Sequence, residues 1–159
     1  MDYTKGRNLY ALDTSVNGYL HGSGTYVVSM LSYYRECTSS FIPVISGEKI
    51  TIQSWNPLIE ETTDQPWIGY AFYSDENMNA VIGQRAAKYG GQGSTYLTYT
   101  GVIIPDEAKY IRVSFRRFTE GYCKLEYGSE ATEWRPAPED DDFYQILETG
   151  GGGTYDPFP

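Results

Sequence analysis

Two tryptophans bracket one long loop. Trp55 ends an alternating run that begins at Lys49, and Trp67 opens the next run, which ends at Tyr73. An indole offers a flat apolar face and one polar edge. Planar hydrogen-bonding groups accompany these rings. Gln53, Tyr73, Arg112, Ser114 and Arg116 take solvent-side strand positions, and Asn56, Asp64, Arg85 and Tyr89 take loop positions. Rings beside amides, carboxylates and guanidiniums suit a non-covalent grip on a polar ligand that also has an apolar face. The candidate ligand-binding set is therefore Gln53, Trp55, Asn56, Asp64, Trp67, Tyr73, Arg85, Tyr89, Arg112 and Arg116. The strand members become neighbours only if their three strands share one sheet. Plainer roles compete: Trp55 and Trp67 can pin the loop, and Arg112 and Arg116 can pair with Glu126 or another acid at the surface.

Bond-breaking chemistry finds less support. The single histidine, His21, sits in a Gly/Ser loop, a poor place for a Ser-His-Asp arrangement. The chain has 21 acids, so a carboxylate pair is available, but none sits in an apolar strand that would raise its pKa. One histidine and two cysteines without CxxC spacing argue against zinc. Asp75, Asn77 and Asn79 alternate like calcium ligands, yet lack the glycine and the closing glutamate of a calcium loop, and hairpin turn chemistry accounts for them. No cofactor, metal site or catalytic residue is expected. Cys37 and Cys123 are expected as buried free thiols, with pairing the alternative if their strands are neighbours.

The elements that must hold these groups are strands. Helical periodicity is almost absent, and short alternating runs are separated by Gly, Pro, Asn and Asp. The pattern predicts strands over 9–12, 25–30, 39–44, 49–55, 67–73, 80–84, 96–104, 110–118 and 122–127, with residues 13–24 as a loop. Ile111, Val113 and Phe115 face the core, while Tyr110, Arg112, Ser114 and Arg116 face away. Such strands without crossover helices indicate an all-β fold, an antiparallel β-sandwich, with loops of unequal length favouring a jelly roll. Net charge is −9, and the 12 basic residues are scattered, which argues against nucleic acid and anionic membrane. No apolar run is long enough to span a bilayer, and the start does not read as a signal peptide. The 16 tyrosines suit strands and wet binding surfaces alike.

After Trp134 the composition becomes Pro/acid-rich and then Gly-rich. The reading is one domain over residues 1–135 and a linker or tail over 136–159, with Pro136 to Asp142 extended and solvated. Trp134 itself is expected to tuck structurally against the domain edge.

Three segments, taken in order, carry a resemblance. They are Trp67-Ile68-Gly69-Tyr70-Ala71-Phe72-Tyr73-Ser74-Asp75-Glu76 with Ile82-Gly83, then the stretch from Ile104 through Tyr110-Ile111-Arg112-Val113-Ser114-Phe115, then Lys124-Leu125-Glu126-Tyr127-Gly128 with Ala131-Thr132-Glu133-Trp134. Asn8-Leu9 and Ser46 to Ile52 fit the opening. The chain resembles the carbohydrate-binding modules of tail and baseplate proteins of phages infecting Gram-positive bacteria, over about residues 7–142. The resemblance implies a jelly roll at the virion tail tip that binds host cell-wall polysaccharide, beside other tail or baseplate modules, without catalysis. In that setting the rings would stack on pyranose faces and the planar groups would bond hydroxyl pairs. A structural spacer with no sugar site is the alternative.

Overall fold

Strand alternation puts one apolar face on each sheet, and the two faces share a core. A computed structural model describes residues 6–29, 36–55, 65–91, 96–117 and 121–138. These hold eleven strands and two 3-10 turns, with no α-helix among the described residues. The strands are β1 (Val16–Asn17), β2 (Tyr19–Leu20), β3 (Val27–Val28), β4 (Glu36–Thr38), β5 (Ile42–Pro43), β6 (Lys49–Trp55), β7 (Trp67–Tyr73), β8 (Val81–Tyr89), β9 (Tyr96–Ile103), β10 (Tyr110–Arg116) and β11 (Tyr122–Tyr127). The pairings are antiparallel: the larger sheet runs β1-β4-β10-β7-β8, with β5 also on β10, the smaller runs β11-β6-β9, and β2-β3 form a separate ribbon.

β10 is the spine of the larger sheet. Tyr110 to Phe115 pair with Tyr73 to Ile68 on one side, and β5 then β4 occupy the other side. Ser39 spans the gap between those two strands. Its amide donates to the Val113 carbonyl at 2.8 Å, and its Oγ accepts the Val113 amide at 2.9 Å. Ile68, Phe72, Ile111, Val113 and Phe115 from this sheet meet Ile50, Ile52, Leu97, Cys123 and Leu125 from the smaller one in a single apolar cluster.

The strands expected over 25–30 and 39–44 hold β3 and β5, but residues 9–24 depart from expectation. Residues 9–12 form no strand, and Leu12–Thr14 is a 3-10 turn. Two strands lie inside the expected loop 13–24, separated by Gly18. Gly18 has φ +132, and a Cβ there would meet the Val28 carbonyl oxygen at 2.4 Å, so the close approach of the ribbon requires glycine.

The outer face of the larger sheet is covered around Tyr73 and Arg112, which corrects the reading of both residues. The β2-β3 ribbon and Phe41 cover it with a second apolar cluster. Tyr73 is fully buried, and its hydroxyl donates to the Gly24 carbonyl at 2.7 Å. Arg112 is 8% exposed, donates Nε–H to the Ser39 carbonyl at 2.7 Å and lies 4.8 Å over the Phe41 ring. Ser114 accepts the Leu20 amide at 3.1 Å. These polar groups are buried because each finds a partner within the covering layer. β6 belongs to the other sheet, so Gln53 is no neighbour of theirs.

Asn8 fastens the chain start to its exit. Its amide nitrogen donates to the carbonyls of Cys123 at 3.1 Å and Arg135 at 2.8 Å. Its oxygen accepts the amides of Tyr10 at 2.9 Å and Leu125 at 3.1 Å. The packed body also runs past residue 135: Pro136 and Ala137 are buried, contrary to the solvated exit expected there. Residues 139–159 lie outside the described residues.

Cys37 and Cys123 are free and buried. Burial pushes the Cys37 thiol up from 9.0 to about 11, and it raises Cys123 and Tyr10 as well. A raised acid favours the neutral form in the folded state, so its stabilising share is intact below pH 9.0 and is lost as pH climbs through about 11. The urea midpoint is therefore expected to fall between pH 9 and 11, and Cys37→Ala should flatten that fall; an equally steep fall in the variant would remove this assignment. Asn8→Ala orphans buried groups on three segments and should cost about 3 kcal/mol in urea unfolding at pH 7. A loss below about 1 kcal/mol would deny it the fastening role.

Candidate functional site

The smaller sheet carries its outer face in ordered rows, because antiparallel partners project to the same side. Tyr122, Trp55 and Tyr96 form one row, Lys124, Gln53 and Thr98 the next, and Glu126 pairs with Thr51 in the third. At Gly128 the chain turns back over this face, and the Thr51 hydroxyl donates to the Gly128 carbonyl at 2.9 Å.

The returning segment is anchored through Thr132. Its hydroxyl donates to Glu126 Oε1 at 2.6 Å and accepts from Lys124 Nζ at 2.6 Å, and its amide donates to Glu126 Oε2 at 3.1 Å. Lys124 Nζ also donates to the Glu133 carbonyl at 2.8 Å and lies 3.5 Å from Glu126 Oε2. Lys124 and Glu126 are 3% and 2% exposed. Burial lowers the Lys124 pKa and Glu126 opposes that change. A buried charge pair is tolerated only when its remaining donors and acceptors are filled, and Thr132 with the Glu133 carbonyl fill them here.

This strap sets Trp134 beside Tyr122, with ring centroids 4.6 Å apart, and Tyr122 stacks on Trp55 at 4.9 Å and 17°. Trp55, Tyr122 and Trp134 therefore form a continuous row of rings. Sheet and strap enclose an open groove of about 480 Å3, lined also by Gln53, Tyr96, Lys124, Thr132 and Glu133. Gln53 donates its amide to Thr98 Oγ1 at 2.8 Å, which fixes the amide plane. Tyr122 and Tyr96 share a side-chain hydrogen bond, and burial is the main cause of the raised Tyr122 pKa. The groove can thus offer ring surface and planar polar groups to one ligand.

The sequence-derived candidates divide. Gln53 and Trp55 fall in this groove. Trp67, Arg85, Tyr89 and Arg116 come together in a second groove of about 340 Å3, with Arg85 and Tyr89 on strand β8 and not in the loops expected for them. Trp67 is 3% exposed there, packed by Tyr19, Tyr89 and the Arg85 guanidinium, so it pins structure instead of offering an open platform. Arg116 pairs with Glu36, with Nε and Nη2 at 2.9 and 2.8 Å from Oε1, so its acid is Glu36 and not Glu126. Tyr73 and Arg112 are internal, as described above. Asn56 and Asp64 lie outside the described residues. Asp75 and Asn77 give their side-chain oxygens to the amides of Glu76 and Asn79, the turn role expected of them.

Tyr96, Tyr122, Lys124 and Trp134 are groove residues that strand-by-strand reading passed over. The Tyr122-Lys124-Glu126 alternation was visible, but its pairing with β6 is long-range. Trp134 does tuck against the domain, and in doing so it becomes a wall of the groove.

Thr132→Val removes the hydroxyl that joins Lys124 to Glu126 while keeping the shape. It should cost about 2 kcal/mol in urea unfolding and red-shift tryptophan emission as Trp134 loosens. Unchanged stability and emission would mean that the strap is held by something else. No protein-family model matches the chain, and no curated protein matches it either.

Proposed function

We infer that this chain is a non-catalytic carbohydrate-binding module that takes host cell-wall saccharide in the groove between the smaller sheet and the returning strap. The single observation that carries the reading is the row Trp55–Tyr122–Trp134 beside Gln53 and Glu133 in one open groove. A pyranose has an apolar C–H face and a rim of hydroxyls, and this combination of rings and planar polar groups matches both. Glu133 is the sole carboxylate among the described residues lining the groove, whereas glycoside hydrolysis ordinarily uses two.

The finer fold belongs to the same proposal. The two larger sheets form a jelly-roll sandwich, supported by their shared core and by a chain that changes sheet between β5 and β6, β6 and β7, β8 and β9, β9 and β10, and β10 and β11. Placement in a phage tail or baseplate protein, with action at the bacterial surface beside other tail modules, rests on the sequence resemblance alone. Modest affinity at each site would be multiplied across many virion copies.

The test is binding of the labelled protein to purified wall polysaccharide and to intact cells. Trp55→Ala and Trp134→Ala, checked for folding by circular dichroism, should each weaken binding roughly tenfold. Binding that survives both changes would move the site elsewhere, and no binding by the parent protein at high valency would favour the spacer reading.

A further inference from the structure

The second groove differs from the first in charge. Its floor is the buried Trp67 ring, with the Arg85 guanidinium carbon 5.1 Å from the ring centroid. Arg85 Nη1 donates to the Leu20 carbonyl at 2.7 Å, which fixes the guanidinium plane. Its Nε–H is enclosed without a hydrogen-bond partner, and no carboxylate pairs with Arg85, among the described residues. Arg116 is neutralised locally by Glu36, the one acid lining the groove, and its Nη1 donates to the Gln65 carbonyl at 2.7 Å. Among the described lining residues, two guanidiniums against one carboxylate leave one positive charge, on a chain of net charge −9. Tyr89, 60% exposed, and the half-buried Tyr19 stand beside it as ring surfaces.

An arginine held over an aromatic ring by a backbone carbonyl, with no acid partner among the described residues, is an oxyanion receptor in waiting, since its fork matches carboxylate or phosphate geometry. Among its described lining residues the first groove has no such group, because Lys124 is buried against Glu126. We propose that the groove at Arg85 and Tyr89 is a second binding site that takes the anionic substituent of an acidic or phosphorylated sugar. The Tyr89 ring receives the sugar face and Arg85 receives the oxyanion. This site stands independently of the saccharide reading of the first groove.

The experiment is a heteronuclear NMR titration of the full chain at about 0.15 M ionic strength, where distant charges are screened beyond about 8 Å. The probes are glucose, glucuronate and glucose 6-phosphate, which share a ring and differ in charge. The expected result is a saturable shift of the Arg85 Nε–H and Trp67 indole N–H signals with one or both acids and not with glucose. The acid that gives the tighter curve identifies carboxylate or phosphate as the source. Arg85→Gln should weaken that curve roughly tenfold. Should that variant fail to fold, Arg85→Lys and Tyr89→Ala take its place, and each should weaken acid binding severalfold. Acids that shift these signals no more than glucose does would overturn the proposal, as would acid binding unchanged in the folded variants. Shifts at the Trp55 indole report the first groove separately, so failure at one site is not failure at the other.

Discussion

One buried amide joins the residues that precede the sheets to the segment that follows the last strand, and the groove depends on that junction. Asn8 satisfies a carbonyl and an amide of β11, the amide of Tyr10 and the carbonyl of Arg135 with a single side chain. Arg135 directly follows the strap residue Trp134. Holding its carbonyl against β11 keeps the strap over the smaller sheet and keeps Trp134 within stacking distance of Tyr122. Leucine or valine at position 8 could fill the space but could not supply two donors and a double acceptor, so backbone groups on three segments would be left dry and unpaired.

Both larger sheets solve the same problem on their outer faces by different means. Each has polar side chains there, and each is partly covered. The larger sheet is covered by the β2-β3 ribbon, which accepts Tyr73 through the Gly24 carbonyl and bonds Ser114 through the Leu20 amide. The smaller sheet is covered by the strap, which accepts Lys124 and satisfies Glu126. An aromatic groove lies beside each cover. Among the described residues, one groove is lined by a stacked ring row with one lysine and one acid, and the other by two arginines and one acid. The two openings therefore suit ligands of different charge.

Where alternation was long and uninterrupted, local pattern and fold agreed. β6, β7 and β10 bury the residues that their spacing assigns inward, including Ile50, Ile52, Ile68, Ile111 and Val113. The stretch over residues 9–24 was opaque because β1 and β2 are two residues long, too short for a period to show, and are made by tertiary pairing. Tyr73 and Arg112 were assigned the correct face, yet their exposure was misjudged, since alternation reports direction and says nothing of a further layer. Gln53 and Trp55 were legible as strand-end polar and aromatic positions. Their partners Tyr122 and Lys124 were not, because cross-strand register is set by the whole sheet.

A crystal structure of the protein with a host wall oligosaccharide bound is the decisive measurement. The sugar should lie intact in the groove under the strap, one ring against the Trp55–Tyr122–Trp134 row and hydroxyls within hydrogen-bond distance of Gln53 or Glu133. Density for the sugar on another surface with this groove empty, or for a cleaved product in it, would rule out non-catalytic binding at this groove.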